Sequence, residues 1–373
     1  MTIYRQTQQF WHGKSLYAGG NPYLPSTYIL MAYQAPLKPH SAWWAWRVIG
    51  IVLSITTGLI LYWGLLPRIG PTNSLLAVCN VMLLSGMSPW SGNPGNISGI
   101  GCVLAYALLS LGYPRLGGVI LGAAAGLKYS LGLPFIFLAF VARYWRFAST
   151  AMGTFLMLNV VALFYLAIHG TPPSMVANSL FSGVIYVGGY NESGFREWFS
   201  ADDPFRFQLM NMVPLLHSFG IPERPAQLLC LVILSLAVIL STFLAWKGKP
   251  HFLLSAAVFA PFFLLCTCHR FYDSALLAFS ILLSWSATDG RNRICRWLIV
   301  VMSLAFILYI SNILQVRLLL GSGFLESAVW NYLISPHHWY ALGILCLSVM
   351  CLAIKYHRRM PGTTDSRSDT ELP

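Results

Sequence analysis

The stretch "GGVILGAAAGLKYSLGLPFIFLAFVARYW", residues 117–145, contains two apolar runs separated by a short polar turn at Lys128. Each run is shorter than the roughly 20 residues that an α-helix needs to cross the hydrocarbon core of a bilayer. Non-helical backbone at membrane depth is tolerated only where protein or a water-filled cavity surrounds it. The stretch therefore predicts a re-entrant hairpin, or two short helices that meet at a buried polar turn, within a helical membrane protein.

The composition of the whole chain is that of an integral membrane protein. Of its 373 residues, 57% are hydrophobic and only 9% are charged, and the mean hydropathy is +0.64. The apolar runs are continuous and rich in Leu, Ala and Ile, which favours helices over the alternating strands of a β-barrel. The net charge of +12 lies in short clusters between apolar runs, so it indicates membrane orientation and not nucleic-acid binding.

A series of apolar segments along the chain predicts an all-α polytopic bundle of about ten or eleven membrane helices. The segments are 43–66, 73–89, 97–113, 116–127, 130–145, 148–168, 226–246, 251–267, 271–287, 296–314 and 338–355. We expect a single membrane-embedded domain over residues 1–356 and a cytoplasmic tail over residues 357–373.

Basic clusters at alternate connections predict the orientation of these helices. The clusters placed in the cytoplasm are Arg68, Arg115, Arg143 with Arg146, Lys247 with Lys249, Arg291 with Arg293 and Arg296, and Lys355 with Arg358 and Arg359. Residues 1–42 and 169–225 then become outer segments, of which the second is a long outer loop. We expect a multi-pass protein of the cell membrane whose outer face carries most of the polar chemistry.

The first outer segment raises a question about the start of the chain. "MTIYRQTQQFWHGK", residues 1–14, has the features of neither a signal peptide nor a membrane span. We expect a further membrane segment upstream of residue 1. The alternative is a short, weakly charged tail that crosses the membrane by itself.

Four stretches carry a resemblance to one family. They are "GNPYLPSTYI" (20–29), "GNISGIGCVLAYALL" (95–109), "GGVILGAAAGLKYSLGLPFIFLAFVARYWRF" (117–147) and "FYDSALLAFSILLSW" (271–285). In this order they resemble motifs of glycosyltransferase family 87, whose members are membrane enzymes of the C-type glycosyltransferase fold. The resemblance implies transfer of a hexose, such as mannose, from a polyprenyl-phosphate donor to a glycan or glycolipid acceptor, among membrane lipids and without a cofactor or metal.

The chain departs from the family at three points. The family's catalytic Asp is expected on the first outer loop, but no acidic residue precedes Glu192 in this chain. Asn96 lacks the Gln that usually accompanies it, and Lys128 lacks the Pro that often follows it. We therefore expect the chain as printed to be weakly active or inactive, because an acceptor hydroxyl needs a base.

The expected chemistry points to candidate catalytic and phosphate-binding residues. An oxocarbenium-like transition state requires a carboxylate to accept the acceptor proton, and positive charge on the leaving phosphate. The candidate cations are Lys128 and Arg270, and the candidate catalytic residues are Asp273 and His269. The structural alternatives are a snorkelling Lys128, an Arg270 that anchors lipid headgroups, an Asp273 that pairs with Arg270, and a structural His269.

The remaining candidates bind substrate. Tyr272 is a stacking or donating residue beside Asp273, and Glu192 approaches the acceptor sugar from the long outer loop. The other candidates, which resemblance and position suggest for the groove that holds the lipid-linked sugar, are Asn21, Tyr23 and Asn96.

Two other readings of the sequence remain open. The chain is alternatively an inactive or truncated relative, or a transporter of a lipid or solute, which should show inverted repeats and discontinuous helices at matching positions. The eight cysteines form no C-x-x-C pair. We expect those in the apolar runs to behave as small hydrophobic residues.

Overall fold

The computed structural model describes residues 2–13, 17, 23–86, 93–187, 211–267, 271–286 and 337–357, with the single positions 297, 301, 327 and 329. The regular structure of these residues is helical, and no strand occurs among them. By length and composition, four of their helices can cross a membrane: Pro39–Gly64, Trp145–Ile168, Glu223–Trp246 and His337–Ile354. The chain is therefore a helical membrane protein, as its composition predicts.

The first half of the chain begins with short helices and continues with longer ones. Its helices are α1 (Thr2–Trp11), α2 (Pro25–Leu30), α3 (Pro39–Ile69), α4 (Pro71–Gly86), α5 (Pro94–Ser110), α6 (Pro114–Leu127), α7 (Tyr129–Val141), α8 (Trp145–Ile168) and α9 (Pro173–Val187), with a 3₁₀ turn at Ala32–Gln34.

The second half of the chain also contains short and long helices. Its helices are α10 (Val213–Ser218), α11 (Glu223–Trp246), α12 (Phe252–Cys266), α13 (Ala278–Ser286) and α14 (His337–His357), with 3₁₀ turns at Lys249–His251 and Phe271–Leu277.

The structure differs from the sequence expectation in the outer segments. The expected long loop at 169–225 contains α9 and α10, and the expected outer segment 1–42 contains α1 and α2. Pro173 starts α9 at the first helical position, which suits its missing N–H. Hydropathy does not reveal α9, because Ser, Asn and Gly interrupt its apolar run.

The described residues do not support the specific count of ten or eleven membrane helices. Apart from the four long helices, the apolar helices among them have only 10–17 residues. The predicted segment 296–314 lies outside the described residues, except for positions 297 and 301, and so does most of the predicted tail at 357–373. The bundle is thus built from long and short helices together.

Glycines at every fourth position of α6 allow this helix to lie directly on α8. Gly118, Gly122 and Gly126 share one face of α6. A Cβ atom at Gly118 would lie 2.6 Å from the carbonyl oxygen of Phe147, and one at Gly122 would overlap the backbone of Ala151. Close approach over small residues is the usual way in which membrane helices pack.

The break between α6 and α7 is a sharp helical hairpin at Lys128. Lys128 has an extended backbone, with φ −149° and ψ 95°, and this conformation ends α6. The chain then folds back, so that a Cβ atom at Gly132 would lie 2.5 Å from the Cα atom of Ala125. With 14 and 13 residues, the helices are about 20 Å long, which is shorter than a bilayer core. They are the two short helices that the sequence predicts.

Aromatic rings anchor this hairpin to the C-terminal helices. Phe135 of α7 stacks on Phe279 of α13 with ring centroids 4.8 Å apart, and it meets Phe259 of α12 edge-on at 5.8 Å. The Ser255 hydroxyl donates to the carbonyl oxygen of Ser241 at 2.7 Å, which ties α12 to α11. The hairpin is therefore part of the packed core.

Two of the predicted cytoplasmic clusters meet at one end of the bundle. The guanidinium of Arg143 lies 6.0 Å from the ring centroid of Trp246, and the Tyr144 hydroxyl donates to the carbonyl oxygen of Lys249 at 3.4 Å. Lys128 lies at the opposite end of α7. The two clusters therefore share one end of the bundle, and the placement of that end in the cytoplasm stays a prediction.

We expect Gly122→Ala to destabilise the protein, because the new methyl group overlaps the α8 backbone and overpacking costs about 1–3 kcal/mol. Gly153→Ala in α8 is the matched control, since nothing lies within 4 Å of its Cβ position. Thermal melting followed by size-exclusion chromatography compares the two variants. Equal midpoints would contradict the close contact between α6 and α8.

Labelling of single cysteines tests the orientation. Lys38 and Lys249 are both exposed, and we expect them on the outer and the cytoplasmic side respectively. In a cysteine-free background, an impermeant maleimide should label Lys38→Cys in intact cells, and Lys249→Cys only after permeabilisation. The reverse pattern would overturn the orientation.

Candidate functional site

Hydroxyl groups from the N-terminal segment cap the C-terminal end of α6. The last carbonyl groups of a helix have no partner within it, and at membrane depth they need one. The Ser26 hydroxyl donates to the Gly126 carbonyl oxygen at 2.7 Å, and the Thr27 hydroxyl donates to that of Leu127 at 3.0 Å. The turn-rich segment near the start of the chain therefore stabilises the tip of the α6–α7 hairpin.

The first turns of α5 lie between this tip and the 3₁₀ turn at Phe271–Leu277. The Ser98 hydroxyl donates to the Ala124 carbonyl oxygen of α6 at 2.8 Å. A Cβ atom at Gly99 would lie 3.0 Å from the Cβ atom of Ala275. The absence of a side chain at Gly99 thus allows the 3₁₀ turn to approach α5 closely.

A buried ion pair joins the hairpin to the 3₁₀ turn. The Nζ atom of Lys128 lies 2.9 Å from Oδ1 and 2.7 Å from Oδ2 of Asp273. The Asp273 side chain is fully buried, and that of Lys128 is 15% exposed. Breaking such a pair leaves a charge without its partner in a medium of low dielectric, which is strongly unfavourable. The pair therefore holds the break between α6 and α7 and the 3₁₀ turn at Phe271–Leu277 together.

This pairing changes the interpretation of both residues. The sequence suggests that Lys128 is either a lone phosphate-binding cation or a snorkelling side chain, whereas the structure pairs it with Asp273. For Asp273 the sequence suggests a base or a partner of Arg270, which lies outside the described residues. Because both Asp273 oxygens accept hydrogen bonds from Lys128, Asp273 orients the ammonium group. Its catalytic role stays a prediction.

Amide and tyrosine side chains meet at the start of α5. Asn93 caps the helix by accepting from the N–H of Gly95 at 2.9 Å, and its Nδ2 donates to the Tyr23 hydroxyl at 3.3 Å. Asn96 is fully buried, and neither polar atom of its side chain has a partner among the described residues. It lies three residues before Gly99 and so on the side of α5 that faces the 3₁₀ turn.

Aromatic stacking holds the N-terminal segment in place above this site. The ring of Phe10 stacks on Tyr28 at 5.4 Å and on Tyr165 of α8 at 5.0 Å between centroids. The Tyr17 hydroxyl donates to the carbonyl oxygen of Tyr23 at 3.2 Å. Burial raises the pKa of Tyr17, so this hydroxyl remains protonated and available as a donor.

The structure gathers some of the predicted site residues and leaves others undescribed. Those at the Lys128 end of the bundle are Tyr23, Asn96, Lys128 and Asp273. Tyr272 belongs to the 3₁₀ turn beside Asp273, although its side chain is not described. The predicted residues outside the described part of the chain are Asn21, Glu192, His269 and Arg270.

Several residues that shape the site escape sequence analysis. An Asn before a Pro is a recognisable helix cap, so Asn93 could have been found from this signal. Ser26 and Thr27 also carry a signal, since hydroxyl residues are good capping groups. Their acceptors, however, lie about 100 residues further along the chain, and nothing local indicates this distance.

Across the described ranges, no group of three or more His, Cys, Asp or Glu side chains is placed to hold a metal ion. The carboxylates in these ranges are Glu223, at the start of α11, and Asp273. The polar chemistry that the structure shows here is therefore that of an ion pair, amides and hydroxyl groups.

Comparison with known proteins identifies no relative of the chain. No protein-family model, curated protein or solved structure matches it.

We expect Lys128→Met to be destabilised by about 3–5 kcal/mol, because it leaves a buried carboxylate without its cation. The double variant Lys128→Met/Asp273→Asn removes both charges and should recover most of the loss. Lys38→Met, at an exposed lysine, is the control. Thermal melting in detergent measures all three variants, and a Lys128→Met protein as stable as the wild type would contradict the importance of the ion pair.

Proposed function

We propose that the chain is a membrane glycosyltransferase of the C-type fold. It moves a hexose, such as mannose, from a polyprenyl-phosphate donor to a glycan or glycolipid acceptor at the outer face of the cell membrane. One observation carries this proposal. The four stretches that resemble glycosyltransferase family 87 meet at one end of the bundle, although they are spread between residues 20 and 285.

The contacts between these stretches are specific. They are the hydrogen bonds of Ser26 and Thr27 to Gly126 and Leu127, the hydrogen bond of Ser98 to Ala124, the close approach of Gly99 to Ala275, and the ion pair of Lys128 with Asp273. A shared substrate site gives a reason for motifs so distant in sequence to converge.

In this proposal Lys128 contacts the donor phosphate. An ammonium group is a suitable donor of charge-assisted hydrogen bonds to phosphate, and part of the Lys128 side chain is exposed. Asp273 fixes its orientation, so that the cation is in place before the donor arrives. Since the pair is neutral as a whole, we assign the net positive charge to Arg270, three residues before Asp273 in the chain.

The acceptor hydroxyl requires a separate base. Asp273 would have to leave Lys128 to accept a proton, which is unfavourable for a buried pair. We therefore assign Asp273 as the positioning residue of Lys128, and His269 and Glu192 as candidates for the acceptor side. Asn21, Tyr23, Asn96 and Tyr272 complete the groove in this proposal.

We assign the short and the long helices to one membrane bundle in this proposal. In a C-type fold of ten or eleven helices, the short helices α5, α6, α7, α12 and α13 would stand beside the four long ones. The 3₁₀ turn before α13 and the break between α6 and α7 would then form the floor of the donor site.

The ion pair also favours a second candidate function, transport of a lipid or solute. Ionisable residues within membrane spans often mark substrate pathways, and many transporters bind substrate where helices are interrupted. A transporter of a polyprenyl-phosphate sugar would bind the donor without cleaving it. Cleavage of the bond between sugar and phosphate therefore distinguishes the two functions.

Binding of polyprenyl phosphate to the full chain in nanodiscs tests the proposal, because binding requires no catalytic base. We expect polyprenyl phosphate to raise the melting temperature in a saturable manner and neutral polyprenol to have no such effect. Lys128→Met/Asp273→Asn should weaken the affinity at least tenfold, since hydrogen bonds to charged groups contribute about 1.5–3 kcal/mol.

The control and the second readout decide between the alternatives. Lys38→Met should bind as the wild type does. Unchanged affinity in the double variant would remove Lys128 from the phosphate site, and equal binding of the neutral polyprenol would contradict the proposal as a whole. With a radiolabelled polyprenyl-phosphate sugar in proteoliposomes, release of polyprenyl phosphate would favour the transferase, and movement of the intact donor across the bilayer would favour the transporter.

A further inference from the structure

Two cysteines come together at the end of the α11–α12 hairpin that lies opposite its turn. Cys230 belongs to α11, and Cys266 is the last residue of α12. Both pack in one small apolar cluster with Val213 and Ala226. Cys230 is buried and Cys266 is partly buried, and both are free thiols in the structure.

The geometry of the hairpin explains why the two cysteines meet. The turn at Lys249–His251 joins the ends of α11 and α12. From this turn, residues 246 to 230 of α11 and residues 252 to 266 of α12 extend about 24 Å and about 21 Å, at 1.5 Å per residue. The two cysteines thus lie at nearly the same height on neighbouring antiparallel helices.

We propose that Cys230 and Cys266 form a disulfide bond that links the far ends of α11 and α12. The predicted orientation places these ends toward the outer face of the membrane, which is the side where disulfides form and persist. The bond does not depend on the proposed sugar transfer.

The chemistry requires a disulfide oxidant, such as an oxidised dithiol protein or oxidised glutathione. The thiolate of the more accessible Cys266 attacks the oxidant, which gives a mixed disulfide and releases one reduced thiol. The thiolate of Cys230 then attacks the Cys266 sulfur and releases the second reduced thiol. Two thiols of the chain are oxidised, the oxidant disulfide is reduced to two thiols, and the two protons pass to the thiols released.

The position of the bond connects it to the candidate site. Cys266 lies seven residues before Asp273, and the N–H of Met212 donates to the carbonyl oxygen of Leu265 at 2.8 Å. A covalent link at this point restricts the end of α12 from which the chain leads to the ion pair. The disulfide therefore limits the movement of the segment that carries Asp273.

Counting of reactive thiols tests the proposal. The purified full chain is treated with oxidised glutathione, then denatured, labelled with N-ethylmaleimide and analysed by mass spectrometry. Eight cysteines are present, and we expect two fewer labels after oxidation, with a peptide link between residues 230 and 266. Cys79→Ser, which removes an exposed cysteine, should still form the link between residues 230 and 266, whereas in Cys230→Ala the reaction of Cys266 should stop at the mixed disulfide with glutathione.

Other results would overturn the assignment. Retention of all labels after oxidation of the wild type would show that the two thiols do not react. A link from Cys266 to Cys346, or one from Cys230 to Cys268, would assign the bond to another pair. Peptide mapping of the wild-type protein gives this answer even if Cys230→Ala does not fold.

Discussion

The ion pair between Lys128 and Asp273 connects two places where the helical backbone is interrupted. At each of them, the backbone departs from α-helical geometry, with an extended conformation at Lys128 and a 3₁₀ turn at Phe271–Leu277. The fully buried carboxylate is compatible with this environment only because an ammonium group donates to both of its oxygens. The position of the α6–α7 hairpin and that of the 3₁₀ turn are therefore coupled, and neither segment can move far without separating two buried charges.

The N-terminal segment has a clear physical role in this arrangement. The carbonyl groups at the end of α6 need donors, and α7 cannot supply them because it folds back in the opposite direction. Ser26 and Thr27 supply these donors, while the stacked rings of Phe10 and Tyr28 hold the segment that carries them. The turn-rich, aromatic segment before the first long helix thus supplies hydrogen-bond donors that the end of α6 lacks.

The sequence predicts the helices and turns of this site better than the contacts between them. An apolar run interrupted by Lys128 has few structural interpretations, so the hairpin could be predicted. The partner of Lys128 could not be predicted, because Asp273 follows it by 145 residues and Arg270 offers a nearer explanation for the same carboxylate.

Hydropathy locates the four long helices and fails at α9, whose amphipathic run packs against the N-terminal segment through Val176. Hydropathy does not determine the number of spans either, since short helices packed inside a bundle do not need the length of a full crossing.

The ion pair is difficult to explain by stability alone. Well-packed apolar residues of similar volume are often as stabilising as a buried ion pair, or more so, and a helical membrane protein has many such residues to choose from. What apolar residues cannot provide is a cation that is held in a fixed place and still partly accessible. The Asp273 side chain is fully buried, whereas the Lys128 side chain is partly exposed. A ligand can therefore reach the cation of the pair and not its carboxylate. Because the carboxylate is the buried partner, the accessible part of the pair is the ammonium group, and this is the group that we propose contacts the donor phosphate.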